Sequence, residues 1–219
     1  MDRERIIDKT IQFVKTELAN AEGGHDWFHI ERVHKNALLI AKGENANVYI
    51  VELAALLHDI ADSKFHNGDE SIGPRKAAKF LESQLVPQDL IDKVVYIIQN
   101  MSFKNSLESK SAIQKSIEFQ IVQDADRLDA IGAIGIARCF NYGGFKNRPL
   151  YDPEIKPVLN LDKESYKKST APTINHFYEK LLLLKDQMNT VTGRRIAQER
   201  HEYMEGFLSQ FYAEWNGQK

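Results

Sequence analysis

The pair His58-Asp59 stands at the end of an apolar run, in the segment Leu-Ala-Ala-Leu-Leu-His-Asp-Ile-Ala-Asp-Ser-Lys that covers residues 53–64. Such a run predicts a helix that is buried nearly all round, so both polar side chains would lie against a core. Burying an imidazole with a carboxylate is costly unless a partner neutralises them, and a bound cation does so. The segment therefore suggests a metal site. The alternative is that His58 and Asp59 only end a helix and hydrogen-bond each other.

A second segment, His-Asp-Trp-Phe-His-Ile-Glu-Arg-Val at residues 25–33, places histidines in front of another apolar helical pattern. Asp26, His29 and Arg32 are spaced by three and would share one face of a helix. Asp26 can also cap that helix. His29 is a candidate metal ligand, and the alternative is an ordinary capped or core histidine.

A third segment, residues 123–129, carries three aspartates within an otherwise apolar helical pattern: Asp124, Asp126 and Asp129. Asp126 and Asp129 would share a helix face. The alternative is a solvated acidic strip paired with Arg127. Because three distant apolar segments each carry His or Asp, and buried groups of this kind need partners, the three segments together favour a shared cation.

Helices must position these segments, because the apolar residues recur at helical spacing and no stretch shows sustained alternation. The sequence predicts helices over residues 2–20, from Asp26 to Gly43, over about 47–60, from Pro74, from Pro87, over about 115–140, from Pro172 to Lys185 and over about 192–215. Small residues at 130–137 predict close approach of a neighbouring helix. Residues 141–163 lack periodicity and predict a long irregular loop.

The amino-acid composition limits the partners and the cellular compartment that we expect for this protein. Lys and Arg number 29 against 31 Asp and Glu, a net charge of -2, so no overall basic footprint suggests a nucleic-acid partner. The single cysteine, Cys139, excludes an internal disulfide and suits a reducing compartment. The sequence shows neither a signal-peptide core nor an apolar run of about 18 residues that would span a membrane. We expect one cytoplasmic domain over residues 1–219, without a membrane partner.

The ordered residues His29 (in His-Ile-Glu-Arg-Val), His58-Asp59 (in Leu-Leu-His-Asp-Ile) and Asp126 (in Asp-Ala-Asp-Arg-Leu-Asp) resemble the ligand set of the HD-domain metal-dependent phosphohydrolases. The resemblance covers roughly residues 20–140, including the apolar flanks. It implies an all-α HD-type helical bundle in which these four residues bind one divalent ion.

Two choices within the ligand set follow from the resemblance. His29 is preferred to His25 because it lies three residues before Arg32, as the family's first ligand does. Asp126 directly precedes Arg-Leu, and Asp124 is the alternative. The metal-binding core would then cover about 20–140, with C-terminal helices at about 170–216 packed on it.

Two imidazoles and two carboxylates would accept Mn²⁺, Fe²⁺, Zn²⁺ or Mg²⁺, and Mn²⁺ is favoured. Such an ion can lower the pKa of a bound water and polarise a phosphoryl group. Asp62 could orient or deprotonate the attacking water, and the alternative is an ordinary loop acid. Lys64, for which the family often has a lysine, could neutralise phosphate charge. Further candidates for substrate binding are His25, Asp26, Arg32 and Lys104; for Arg32 and Lys104 a solvated or salt-bridged role is the alternative.

The tail, with Tyr-Gly-Gly-Phe at residues 142–145 and the Pro172 helix, resembles a subgroup of small bacterial HD proteins. That resemblance implies hydrolysis of a (deoxy)nucleoside triphosphate to the monophosphate and pyrophosphate. One alternative is a nucleotidase or phosphodiesterase with the same metal centre. Another is a non-catalytic module that senses a nucleotide. The sequence leaves a monomer and a homodimer both open.

Overall fold

A computed structural model describes residues 2–19, 21, 24, 26–61, 69, 71–101, 114–159 and 169–219. Within these ranges the secondary structure is helical and contains no strand, which confirms the all-α prediction. The helices are α1 (Arg3–Glu17), α2 (Trp27–Ala41), α3 (Val48–Leu57), α4 (Ile72–Ser83), α5 (Gln88–Met101), α6 (Ile117–Asp129), α7 (Gly132–Phe145), α8 (Asn175–Glu179), a 3₁₀ segment (Leu181–Gln187) and α9 (Val191–Trp215). In the part of the chain so described, no helix is long and apolar enough to cross a membrane.

The chain divides into two compact units, Met1–Asp126 and Arg127–Lys219, and the expectation of a single domain stays a prediction. In the first unit α3 is the central helix and packs against α1, α2 and α5, while α4 packs on α5. Leu53, Leu56 and Leu57 are fully buried. The apolar character of α3 on all sides is explained by this position, because each of its faces meets another helix.

The predicted helix over residues 115–140 is wrong as a single element, because α6 ends at Asp129 and α7 begins at Gly132. Between them Ile131 has an extended backbone, and Gly132 has a φ of +76°. A Cβ atom at Gly132 would lie 3.0 Å from Cγ of Arg200. Glycine is therefore required there both for its conformation and for space.

The small residues at 130–137 do permit close approach of a neighbouring helix, since Gly132 lies against Arg200 of α9, and two further glycines of α7 lie close to irregular chain. A Cβ atom at Gly135 would clash with the carbonyl oxygen of Ala130, and one at Gly143 would clash with Oγ1 of Thr173. Both contacts are with irregular chain that precedes a helix. The glycines thus allow α7 to lie against α9, against its own preceding turn and against the segment before α8.

In the second unit α9 packs on α7 and on the 3₁₀ segment. The predicted helix from Pro172 to Lys185 is instead the short α8 followed by 3₁₀ structure. The predicted irregular loop begins later than expected, since α7 continues to Phe145. Residues 146–159 form no helix or strand, and 160–168 lie outside the described residues.

The substitution Gly132→Ala should lower the free energy of unfolding by about 1–2 kcal/mol, because a side chain at positive φ is strained and this one would press on Arg200. Urea denaturation measures the change. Gly144→Ala in the same helix is the matched control, since a Cβ there meets nothing within 4 Å. It should be neutral or stabilising by up to about 1 kcal/mol. Equal losses at both positions would contradict the proposed cause.

Candidate metal centre

The first turn of α2 positions His29. Asp26 is the N-cap, and its Oδ1 accepts a hydrogen bond from the backbone N–H of His29 at 3.0 Å. This satisfies one of the amide groups that a helix start leaves unpaired. The predicted capping role of Asp26 is confirmed. His29 is held at the third helical position with its side chain only 3% exposed, so its imidazole points into the unit rather than to solvent.

His58 is the C-cap residue of α3, so it lies at the end of this buried helix. Its Nδ1 lies 2.9 Å from the carbonyl oxygen of Ala55. Because a carbonyl oxygen only accepts, Nδ1 must carry the proton in this contact, and the neutral ring then has its lone pair on Nε2. A hydrogen bond of this kind sets both the tautomer and the orientation of metal-binding histidines.

Asp126, on α6, completes the cluster. Its Oδ1 lies 3.5 Å from Nε2 of His29 and 3.9 Å from Nε2 of His58. The two imidazole rings meet edge to face with their centroids 5.4 Å apart. Each residue offers one ligand atom, and these atoms all lie within 4.8 Å of one another. The Asp126 side chain is 43% exposed, so the cluster is open to solvent on the carboxylate side.

The distances fit a shared cation. Ligand bonds of about 2.0–2.2 Å to one ion separate neighbouring ligand atoms by about 3 to 4 Å. The two imidazole-to-carboxylate distances, 3.5 and 3.9 Å, fall within that range. Two imidazoles and a carboxylate are donors that suit a divalent first-row ion. The residues present therefore match a metal site in donor type and in the two imidazole-to-carboxylate distances, and His58 has the tautomer that a metal ligand needs.

Asn36 is a supporting residue that sequence reasoning missed. Its Nδ2 donates to the carbonyl oxygen of Ala125 at 3.4 Å, which links α2 to α6 directly beside Asp126. Asn36 is buried between the apolar residues Val33 and Ala37 of α2. A lone amide on an apolar helix face was the signal that could have found it, because buried amides need partners.

Among the predicted ligands, Asp59 does not belong to the three-residue cluster. It follows His58 directly and is half-buried, and its role as a fourth ligand stays a prediction. Asp126, rather than the alternative Asp124, meets the histidines. The reading of these acids as a solvated strip is wrong, because Asp124 and Asp129 are both buried.

The structure does not test the roles of the other predicted site residues. Arg32 is half-buried on α2, and its role in substrate binding stays a prediction. Four predicted residues lie outside the described residues: His25, Asp62, Lys64 and Lys104. Their catalytic and substrate-binding roles stay predictions.

Comparison with known proteins identifies the family. Residues 27–131 match the family model of the HD domain, a range that runs from the start of α2 past the end of α6. The crystal structure of an HD-superfamily hydrolase from Bacillus thuringiensis is 47% identical, with a TM-score of 0.79 and 98% coverage of each chain. The chain belongs to the HD superfamily. HD domains bind divalent metals, and in this HD protein the cluster of His29, His58 and Asp126 is the candidate centre.

Two further comparisons concern one bacterial relative. The uncharacterized protein YpgQ of Bacillus subtilis (strain 168) is 40% identical over 203 residues, which is 90% of this HD chain and 88% of YpgQ. A crystal structure of YpgQ in complex with ADP superimposes with a TM-score of 0.73 and covers 98% of this chain and 97% of that one. The chain is thus similar to its relatives over nearly its whole length, including the part beyond the HD match.

Mn²⁺ should raise the thermal midpoint of the unaltered protein, because an ion that binds only the folded state at a hundred times its Kd stabilises it by about 2.7 kcal/mol. His58→Ala and Asp126→Asn should each abolish most of that rise, measured by differential scanning calorimetry. His34→Ala is the control, since His34 lies on α2 but faces Glu52 at 3.4 Å. A full Mn²⁺ shift in His58→Ala would contradict the assigned site.

Proposed function

We propose that the protein is a Mn²⁺-favouring phosphohydrolase that cleaves (deoxy)nucleoside triphosphates to the monophosphate and pyrophosphate. The observation that carries the proposal is the cluster of His29, His58 and Asp126, open on its carboxylate side, in a chain of the HD superfamily. An open metal site is what hydrolysis needs, because the ion must meet both water and a phosphate oxygen.

The nucleotide substrate is supported by a relative. YpgQ was crystallised in complex with ADP, and that structure shares 36% identity with this chain over 98% of its length. A nucleoside diphosphate presents the same anhydride oxygens and base as a triphosphate. Cleavage between the α- and β-phosphates rests on the resemblance of the tail, residues 142–145 and the Pro172 segment, to small bacterial HD proteins.

In the proposed centre, His29, His58 and Asp126 hold the ion, and Asp59 is the proposed fourth ligand. A divalent ion bound there would polarise the phosphoryl group and generate a nucleophile from water at neutral pH. Local hydrogen bonds hold two of these ligands in place. The carbonyl oxygen of Ala55 fixes the tautomer of His58, and the cap Asp26 fixes the start of α2, which carries His29. The chain therefore presents its donor atoms already oriented.

Two predicted loop residues supply the remaining chemistry of the proposal. Asp62 accepts the proton of the attacking water as its oxygen bonds to the α-phosphorus. The bond from that phosphorus to the bridging oxygen breaks, and pyrophosphate leaves. Lys64 neutralises charge on the phosphates. His25, Arg32 and Lys104 are proposed to contact the substrate, together with Asp26 where its carboxylate is not engaged in the helix cap.

The reaction is tested by product analysis with dATP and Mn²⁺, using ³¹P NMR. We expect dAMP and pyrophosphate from the unaltered protein. His58→Ala should lower kcat/KM at least about a hundred-fold, a loss of about 2.7 kcal/mol of transition-state stabilisation, while His34→Ala stays near the unaltered value. Inorganic phosphate from dAMP would instead indicate a nucleotidase. Nucleotide binding without turnover would indicate the sensing module.

The roles of two neighbouring acids can be separated by one comparison. Asp59→Asn should weaken Mn²⁺ binding measured by calorimetry, because a neutral amide is a poorer ligand than a carboxylate. Asp62→Asn should leave Mn²⁺ affinity unchanged and lower kcat by about 10²–10⁴-fold, the usual contribution of a general base. Loss of Mn²⁺ affinity in Asp62→Asn with none in Asp59→Asn would reverse the two assignments.

A further inference from the structure

The last turn of α6, residues 126–129, carries Asp126 at an end of the helix where carboxylates are unfavourable. Asp126 and Asp129 both lie in this turn. The last carbonyl groups of a helix have no partner within it, and the negative end of the helix dipole disfavours carboxylates. The N–H of Ile131 donates to the carbonyl oxygen of Leu128 at 3.3 Å, over three residues instead of four. Because such bonds have poorer geometry than those of an α-helix, the turn needs further support.

Two arginines from later helices supply that support. Nη1 of Arg200, on α9, donates to the carbonyl oxygen of Leu128. Nη1 of Arg138, on α7, donates to the carbonyl oxygen of Asp129 at 3.1 Å and to its Oδ2 at 2.5 Å. These contacts all lie within the second unit. Each guanidinium satisfies a carbonyl at the end of α6, and its positive charge offsets the negative end of the helix dipole.

Arg200 reaches Leu128 by passing over Gly132. Its Cβ, Cγ and Cδ atoms would lie 3.0–3.2 Å from a Cβ atom at Gly132, so the missing side chain leaves room for the aliphatic stem. Arg200 is half-buried. Burial lowers the pKa of its guanidinium, and the carboxylate of Asp129 opposes that shift. The side chain is therefore placed against the end of α6 by its stem, by its hydrogen bond and by the charge of Asp129.

Among the three members of the metal cluster, Asp126 depends most on this turn. His29 follows a capped helix start, and the ring of His58 is held by the carbonyl oxygen of Ala55. Asp126 lies three residues before the end of α6, and helix ends fray. Its Oδ1 lies 3.5 Å from Nε2 of His29, and unwinding of the turn would change that distance. Leu128 is only two residues further along, so loss of its bond to an arginine would let the unwinding reach Asp126.

We propose that Arg200 is a positioning residue of the metal centre. By binding the carbonyl oxygen of Leu128, it keeps the last turn of α6 wound and holds the carboxylate of Asp126 in front of the two histidines. Arg138 supports the same turn through Asp129. Arg200 acts through Asp126 and not as a ligand of the ion. The inference rests on the proposed metal centre and is independent of which nucleotide is hydrolysed.

The test uses Arg200→Met, which keeps an unbranched stem over Gly132 and removes the hydrogen-bond donors. Isothermal titration calorimetry should show Mn²⁺ binding weakened about ten-fold, the lower end of the usual effect of residues that support a metal ligand. Hydrogen–deuterium exchange of the metal-free protein should be faster at residues 129–131. Arg200→Lys restores a charged donor and should recover part of the affinity. Arg195→Met is the matched control on α9, since Arg195 pairs with Glu199 at the surface, and it should change neither measurement.

A further variant separates positioning from a general loss of stability. Leu208→Val removes a buried methylene group from α9, so it should lower the resistance to urea and leave the Mn²⁺ affinity unchanged. An unchanged Mn²⁺ affinity in Arg200→Met, or an equal loss in Leu208→Val, would overturn the proposal.

The unaltered protein supplies a test that needs no variant. If the turn positions Asp126 for the ion, the coupling is reciprocal, and Mn²⁺ must slow the exchange of residues 129–131. Mn²⁺ binding without such slowing would overturn the role of Arg200. These measurements follow binding and exchange, so they decide the matter even where dATP is not hydrolysed. Absence of Mn²⁺ binding by the unaltered protein would overturn the metal centre and the role of Arg200 together.

Discussion

The structure of the first unit depends on one carboxylate oxygen that faces two buried imidazoles. Oδ1 of Asp126 lies 3.5 Å from Nε2 of His29 and 3.9 Å from Nε2 of His58, and the three groups come from α6, α2 and the C-cap of α3. Two nearly buried histidines would be a liability in an apolar core without a shared partner. A divalent cation resolves this, because it satisfies both imidazole lone pairs and the carboxylate together. The apolar packing of α3 therefore also fixes the position of His58, which is the C-cap residue of this helix.

Much of this arrangement could be predicted because each component has a local signal. Helical periodicity gives α1 to α5 and α9, and Asp26 is a typical cap. The individual roles of the three aspartates of α6 were harder to predict. Residues 124, 126 and 129 are all aspartates, and spacing alone does not say which one faces the histidines and which are buried. Coordinates separate them: Asp129 is buried and paired with Arg138 at 2.5 Å, while Asp126 keeps its carboxylate partly open.

The break between α6 and α7 was not predictable for a different reason. The apolar pattern continues through residues 130–137, so periodicity favours one helix. From sequence alone, a glycine that interrupts a helix cannot be told from a glycine that allows close packing within a helix. This segment contains one of each kind. Gly132 needs its positive φ, whereas Gly135 needs only the missing side chain. In the helix predicted over about 192–215, the aromatic residues Tyr203 and Trp215 are exposed. The residue type alone does not show whether a hydrophobic side chain is buried in the core or exposed at the surface.

The HD superfamily and the metal cluster indicate the type of reaction, a metal-dependent hydrolysis. They say much less about which substrate is hydrolysed. Metal ligands such as His29, His58 and Asp126 would meet phosphate oxygens, which are alike in every nucleotide. Discrimination between nucleotides needs groups that hydrogen-bond base edges, because a buried acceptor left unpaired by the wrong base costs affinity. The match to the HD domain ends at residue 131, so residues 132–219 lie beyond the segment that carries the metal ligands. A common metal centre can therefore coexist with different substrates, since the groups that select a base need not be the metal ligands.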